Sequence, residues 1–313
     1  MVQTLQISNN PGYKELEKVL GKVSEADKIS SNLSQRDIES LVDLSYYAHC
    51  QALKYCAMHS GLSDPVHLGI VVASSYERNL LLSILTANAV VESKKILGRG
   101  PVVLELGMGS GINCVAALLA DEKAEVIGIE KDEETIKFAE QLFKRYGVKD
   151  RIKIVHGDFL ATDIGKSVDI VVNENLSTDL INEPLFPACN AALPYAHSKT
   201  LFVPGGVEIY ASGFWNGSDV NLSQISFSNP PRSPIALKFE FQSNGEGVKC
   251  IEFPTRLLDY KGDIALKGPI SKLNFAPMTV HLSQEIAPNS KYHFSLYLDY
   301  LSPKAYYNIT PFY

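Results

Sequence analysis

Between Pro101 and Ala196 short apolar runs alternate with stretches of helical period. The runs are Val102–Leu106, Ala124–Ile129, Ile152–Val155 and Val168–Val172, with helices expected from Ile112 and Glu133. Strands that read as continuous apolar runs are covered on both faces, and strand–helix alternation supplies that cover. A parallel α/β sheet wound with helices follows. Before it, residues 1–97 read as helical. Ser34-Gln35-Arg36-Asp37 is an N-cap signal ahead of Ile38, Leu41 and Leu44, and Gly61-Leu62-Ser63-Asp64-Pro65 breaks this region from a second helical stretch. After Pro194 the pattern becomes short alternating segments between Gly, Pro, Asn and Ser turns: Leu201–Val203, Val207–Tyr210, Ile235–Phe241, Lys249–Phe253, Thr279–Leu282 and Tyr292–Tyr300. That texture predicts an antiparallel β domain.

The first strand runs straight into glycines. In "VVLELGMGSG", residues 102–111, Gly107, Gly109 and Gly111 let the chain turn tightly and a ligand approach the main chain. The spacing is G-x-G-x-G, unlike the G-x-G-x-x-G of dinucleotide folds. Glu105, two residues before the first glycine, suits a ligand with an ammonium group. Glu130 ends the next strand, where a carboxylate can accept both hydroxyls of a ribose, and Asp158-Phe159 follow the third, a pair fit for the edge and face of adenine. These three strand ends together resemble the class I S-adenosylmethionine-dependent methyltransferases. That resemblance implies S-adenosyl-L-methionine as cofactor and a Rossmann-like fold. The expected division is then 1–97 helical, 98–196 cofactor-binding and 197–313 β-barrel-like.

The loop after the fourth strand carries Glu174 and Glu183 in "NENLSTDLINE". It resembles the double-glutamate loop of protein arginine methyltransferases, with Glu174, Leu180 and Glu183 in register and Leu176 in place of a methionine. The resemblance implies a pair of catalytic carboxylates gripping a guanidinium, which is planar, permanently charged and matched to carboxylates through forked donors. Asn173 and Asn175 flank Glu174 as substrate-side candidates. Tyr46 and Tyr47 in "YYAH" are candidates to line the site, and Arg78 to meet the cofactor's carboxylate. The family's T-H-W loop has no counterpart: Asn274-Phe275-Ala276 falls at its place, and nearby His281 is either a stand-in or a strand residue. "GFWNGSDVNLSQ", residues 213–224, reads as short and turn-rich, too little for the family's dimerisation arm.

An N-methyltransferase of a guanidino group follows from the resemblance, with free arginine or a small arginine derivative set ahead of an arginine-containing protein. A hydroxyl or neutral amine acceptor, with Glu174 as general base, is the alternative. The 29 basic and 35 acidic residues leave no electrostatic footprint for nucleic acid. The longest apolar stretch, Leu80–Val91, is broken by Ser83, Thr86 and Asn88 and is too short to span a bilayer. Five cysteines without a signal peptide are expected to be reduced thiols in a cytoplasm. His49, Cys50, Cys56 and His59 do not reproduce zinc spacings, so no metal is expected. A homodimer is expected from the family's habit.

Overall fold

The computed structural model describes residues 32–58, 75–176, 183–212, 220–243, 248–262, 278–301 and 304–311. Their contacts divide the chain into two compact units, Met1–Glu174 with Pro194–Val203, and Asn175–Leu193 with Pro204–Tyr313.

The first unit is built on strands β1 (Val102–Leu106), β2 (Glu125–Glu130), β3 (Ile152–His156), β4 (Val168–Asn173) and β5 (Ala196–Val203). Their order is β3-β2-β1-β4-β5, and every neighbouring pair is parallel. All six residues of β4 and the last four of β1 are buried, as a sheet covered on both faces requires. The chain runs from β1 outward through β2 and β3, then returns to lay β4 on the other side of β1. That reversal opens a crevice beyond the carboxyl ends of β1 and β4, the place where open α/β sheets bind ligands.

Helices α1 (Gln35–Met58), α2 (Tyr76–Leu97), α3 (Ile112–Ala120) and α4 (Glu133–Arg145) complete the unit. The expected cap of α1 is present and reciprocal. Ser34 Oγ accepts from the Asp37 amide, and Asp37 Oδ2 accepts from the Ser34 amide at 2.9 Å. Helix α2 packs on α1, α3, β4 and β5, and Leu80, Leu81, Leu82, Ile84, Leu85, Ala87, Ala89 and Val90 are all buried. Buried on every side from Arg78 to Val90, the helix has no solvent face over that stretch.

One expectation needs correction. The sequence pattern places Leu201–Val203 in the β domain, with the division at residue 197. The segment is instead the end of the fifth parallel strand, with Leu201, Phe202 and Val203 beside Ile170, Val171 and Val172. A division at 197 therefore falls inside β5. Its first half, His197, Ser198 and Lys199, is exposed, so only its last residues look like a strand in the sequence.

Among the described residues the second unit holds α5 (Leu185–Ala192) and three antiparallel sheets. Strand β6 (Gly206–Ala211) lies between β10 (Thr255–Leu258) and β7 (Val220–Ser226); β9 (Val248–Phe253) pairs with β11 (Met278–Ile286); and β12 (Lys291–Asp299) lies between β8 (Ile235–Gln242) and β13 (Lys304–Pro311). Phe239, Phe253 and Phe294 meet in a buried aromatic cluster, Phe253 and Phe294 with ring centroids 5.7 Å apart. The segment 213–224, expected to be turn-rich throughout, ends in β7: Val220, Asn221, Ser223 and Gln224 pair with β6.

Candidate active site

The glycine loop is shaped by backbone that other residues resist. Gly107, Gly109 and Gly111 all have positive φ, at 66°, 52° and 72°. At Gly111 space adds a second constraint, because a Cβ would lie 2.4 Å from the ring of Phe143 on α4. The Glu130 carboxylate braces the loop. It accepts from the Gly109 amide at 3.0 Å and from the Lys131 and Asp132 amides at 2.9 and 3.0 Å. Asp158 is exposed and accepts from the Leu160 amide at 2.9 Å, and Phe159 is half-buried beside it.

Register fixes what surrounds this loop. Leu106 of β1 is level with Ile129 of β2 on one side and Asn173 of β4 on the other. Gly107, Glu130 and Glu174 are therefore the next residues along the same carboxyl edge. Glu105 lies two residues behind Gly107 and is fully buried. It receives hydrogen bonds from Asn113 Nδ2 at 2.9 Å and Cys114 Sγ at 2.8 Å, both neutral donors from the first turn of α3. Burial pushes the Glu105 carboxyl up to about 8; those two hydrogen bonds oppose the rise and the charge of Glu174 adds to it. The Cys114 thiol is pushed well up by its own burial and by Glu105. A buried carboxylate held only by neutral donors, beside a loop of left-handed glycines, fits a ligand ammonium.

Glu174 has a cation already. Arg78, buried on α2, places Nε 2.8 Å from Glu174 Oε1 and donates Nη2 to the Glu174 backbone carbonyl at 2.6 Å. On the other oxygen, Oε2, Asn113 Nδ2 donates at 3.4 Å. The Glu174 side chain keeps 18% of its surface exposed. Asn173 is buried at the end of β4, and Asn175 is half-buried in the second unit. Residues 177–182, Leu180 among them, lie outside the described residues. Glu183 is half-buried at the entry to α5, its carbonyl accepting from the Leu185 amide at 2.8 Å. The two glutamates belong to different units.

Other candidates separate. Tyr46 meets Tyr76 edge-on at 6.2 Å, two residues from Arg78. Tyr47 turns to Tyr146 at 6.4 Å, with the Arg145 guanidinium 5.5 Å over its ring, at the far end of α4 from Glu130. His281 is exposed on β11, in register with Cys250. Asn274-Phe275-Ala276, His59 and Trp215 lie outside the described residues, and all five cysteines are free thiols.

Sequence reasoning passed over Asn113 and Cys114. A signal existed: Asn113 is the one polar side chain in "INCVAALLA", a helix that otherwise faces the core. Its partners Glu105 and Glu174 are 8 and 61 residues away, so its purpose was not local.

Residues 103–193 match the family of methyltransferase domains. A Methanocaldococcus jannaschii protein, named only as uncharacterized protein MJ1452, is 32% identical over 215 residues, which cover 62% of this chain and 80% of that one. The probable protein arginine N-methyltransferase 6.1 of Oryza sativa subsp. indica is 28% identical over 120 residues, 38% of this chain and 30% of that one. In structure, a chain of the Trypanosoma brucei PRMT1 enzyme–prozyme heterotetrameric complex with AdoHcy superposes with a TM-score of 0.58 at 12% identity, covering 75% of this chain and 96% of that one. At that identity the likeness speaks for fold alone. The chain shares a family with the M. jannaschii protein and belongs to the class I S-adenosylmethionine-dependent methyltransferases.

Proposed function

We propose that the enzyme methylates a guanidino nitrogen, with free arginine or a small arginine derivative ahead of arginine in a protein. The observation that carries this is the place of Glu174. It stands on the carboxyl edge beside the cofactor acid Glu105, joined to it through Asn113, and its carboxylate already engages one guanidinium, that of Arg78. Similarity to a probable protein arginine methyltransferase of Oryza sativa and a histone-arginine methyltransferase of Anopheles gambiae supports a guanidino acceptor, without the preference for free arginine.

Bound S-adenosylmethionine supplies an electrophilic methyl group; the rest is the work of this chain. Glu105 receives the ammonium, Glu130 the ribose hydroxyls, Asp158 and Phe159 the adenine, and Arg78 the carboxylate. Gly107, Gly109 and Gly111 admit the ligand to the main chain. Glu174 holds the guanidinium, draws its charge towards the bound nitrogen and leaves one terminal nitrogen for the methyl, with Glu183 as the second carboxylate that the likeness of the loop sequence implies. Their contribution is alignment and electrostatics. Tyr46 and Asn173 border this end.

The test is methyl transfer to arginine, agmatine, guanidinoacetate and an arginine-rich peptide, in native enzyme and in Glu174→Gln and Glu183→Gln. Each substitution should lower turnover by orders of magnitude, since each removes a charge-assisted contact of about 1.5–3 kcal/mol and loosens alignment. Cofactor affinity should hardly change in Glu183→Gln, whereas Glu174→Gln also lifts a repulsion from Glu105. Near-normal turnover in either variant rules out the clamp. A second reading draws on Arg78: a glutamate whose charge is matched within the chain can serve as general base to a hydroxyl or neutral amine. Loss of turnover only in Glu174→Gln would favour it.

A further inference from the structure

We propose that Asn113 is a positioning residue that joins the cofactor side of the site to the acceptor side. Its single side-chain amide holds Glu105 and Glu174 in one hydrogen-bonded chain. This rests on the reading above, in which Glu105 takes the cofactor's ammonium and Glu174 the acceptor.

Once Glu105 is ionised, the geometry leaves the amide one orientation. Nδ2 lies 2.9 Å from Glu105 Oε1 and 3.4 Å from Glu174 Oε2, and an amide nitrogen has two hydrogens to give. Turned over, the amide would then set its carbonyl oxygen against two acceptors. In the orientation present, Oδ1 is buried with no hydrogen-bond partner among the described residues, a cost that a residue serving only to fill space would not carry. Asn113 is otherwise unexpected where it stands, between Ile112 and Cys114 on a helix whose first seven residues are all buried. A leucine there would match its bulk and leave two neighbouring carboxylates without their shared donor.

Among the described residues, Asn113 and both the thiol and the backbone amide of Cys114 on α3 donate to Glu105, Glu174 repels it from the end of β4, and Arg78 of α2 offsets Glu174. A ligand ammonium at Glu105 replaces the proton that burial favours there, so binding near neutral pH releases a proton. The amide then faces a carboxylate on both sides, and its position is set by both ligands. Occupation of one site thereby alters the other, and the coupling is reciprocal.

The test compares native enzyme with Asn113→Leu, using the demethylated cofactor as probe across pH 5.5 to 9. Loss of a donor that favours ionised Glu105 should displace the rising limb of affinity to higher pH. Several-fold weaker binding is expected at neutral pH, with a smaller difference above the limb. With saturating cofactor, turnover of arginine should fall about tenfold, as expected when an alignment is lost. A residue with only a packing role would leave the pH profile in place, so superimposable profiles overturn the proposal. Should Asn113→Leu not fold, native enzyme labelled with 15N-asparagine answers the same question. One side-chain amide pair should shift on adding the demethylated cofactor and again on adding arginine; no such pair overturns the coupling. An enzyme that binds the demethylated cofactor yet methylates no guanidine overturns the acceptor reading alone. The affinity profile still decides whether Asn113 acts on Glu105.

Discussion

Two carboxylates on opposite edges of the same sheet have opposite fates. At the amino edge Asp169, the second residue of β4, is buried among partners. Arg99 grips it with Nη1 at 2.8 Å and Nη2 at 3.0 Å, the Val102 amide donates at 2.7 Å, and His197 Nε2 lies 2.9 Å away. Burial alone would push its carboxyl up, but Arg99, the Val102 amide and His197 outweigh that and hold it below the usual range. At the carboxyl edge Glu105 is just as buried, has neutral donors only, and is pushed up to about 8. Asp169 finds its cation within the chain. Glu105, in the proposed reading, is left for a ligand's ammonium to complete.

Removing Asp169 should have the largest effect on stability. Asp169→Ala leaves the Val102 amide without its acceptor and Arg99 without its partner, an expected loss of about 2–3 kcal/mol with Arg99 free to return to water. Urea denaturation measures it, and cofactor affinity should not change. A loss under about 1 kcal/mol would erase the distinction between the edges.

Glu105→Gln should act on binding instead. Cofactor affinity is expected to fall by about 10- to 100-fold, the equivalent of 1.5–3 kcal/mol for a charge-assisted contact, read by calorimetry. At pH 8 the variant should be at least as stable as the native chain.

The two groups also titrate with opposite sign. Glu105 is raised from 4.5 to about 8, so its contribution to stability is complete below 4.5 and is lost as pH rises through 8. Asp169 is lowered from 3.8, so its contribution is present above that value and is lost as pH falls through the lower folded one. Glu105→Gln should therefore gain on the native chain between pH 5 and 8, while the Asp169→Ala penalty shrinks in acid. Thermal melts across pH show both trends, and parallel curves would contradict them. Cofactor affinity should climb towards pH 8 by at most about tenfold per unit and fall once the ligand's own amino group, at about 8, loses its proton. Of the Arg99–Asp169 pair, Arg99→Ala should have the smaller effect on stability, because the Val102 amide and His197 still hold Asp169, and the melts should show it as a milder loss than Asp169→Ala.

What the sequence disclosed follows the reach of its signals. Val102–Leu106 has the limits expected of it, since a buried apolar run followed at once by glycine is punctuated locally. Glu105, Glu130 and Glu174 came from strand ends and lie together because parallel register aligns those ends. The partner of Glu174 was hidden: Arg78 is 96 residues away, on a helix whose apolar pattern says nothing of one buried guanidinium. Asp169 was hidden too, inside a strand that looks apolar, because its three partners come from residues 99, 102 and 197. Helix α5 escaped notice because it has only eight residues and carries Pro187 in its first turn.

Helix α2 has a consequence for biogenesis. Its apolar surface is covered by α3, β4 and β5, all of which follow it in the chain. Strand β5 ends at Val203, 106 residues after Leu97 (203 − 97 = 106). At roughly 5–20 residues per second of synthesis, α2 leaves the ribosome about 5–20 s before its cover is complete. During that interval only α1, made before it, can cover α2, and the surface later taken by α3, β4 and β5 stays open as a ligand for chaperones. Ribosome-bound chains stalled soon after α2 emerges should recruit them, and chains stalled after β5 emerges should let them go.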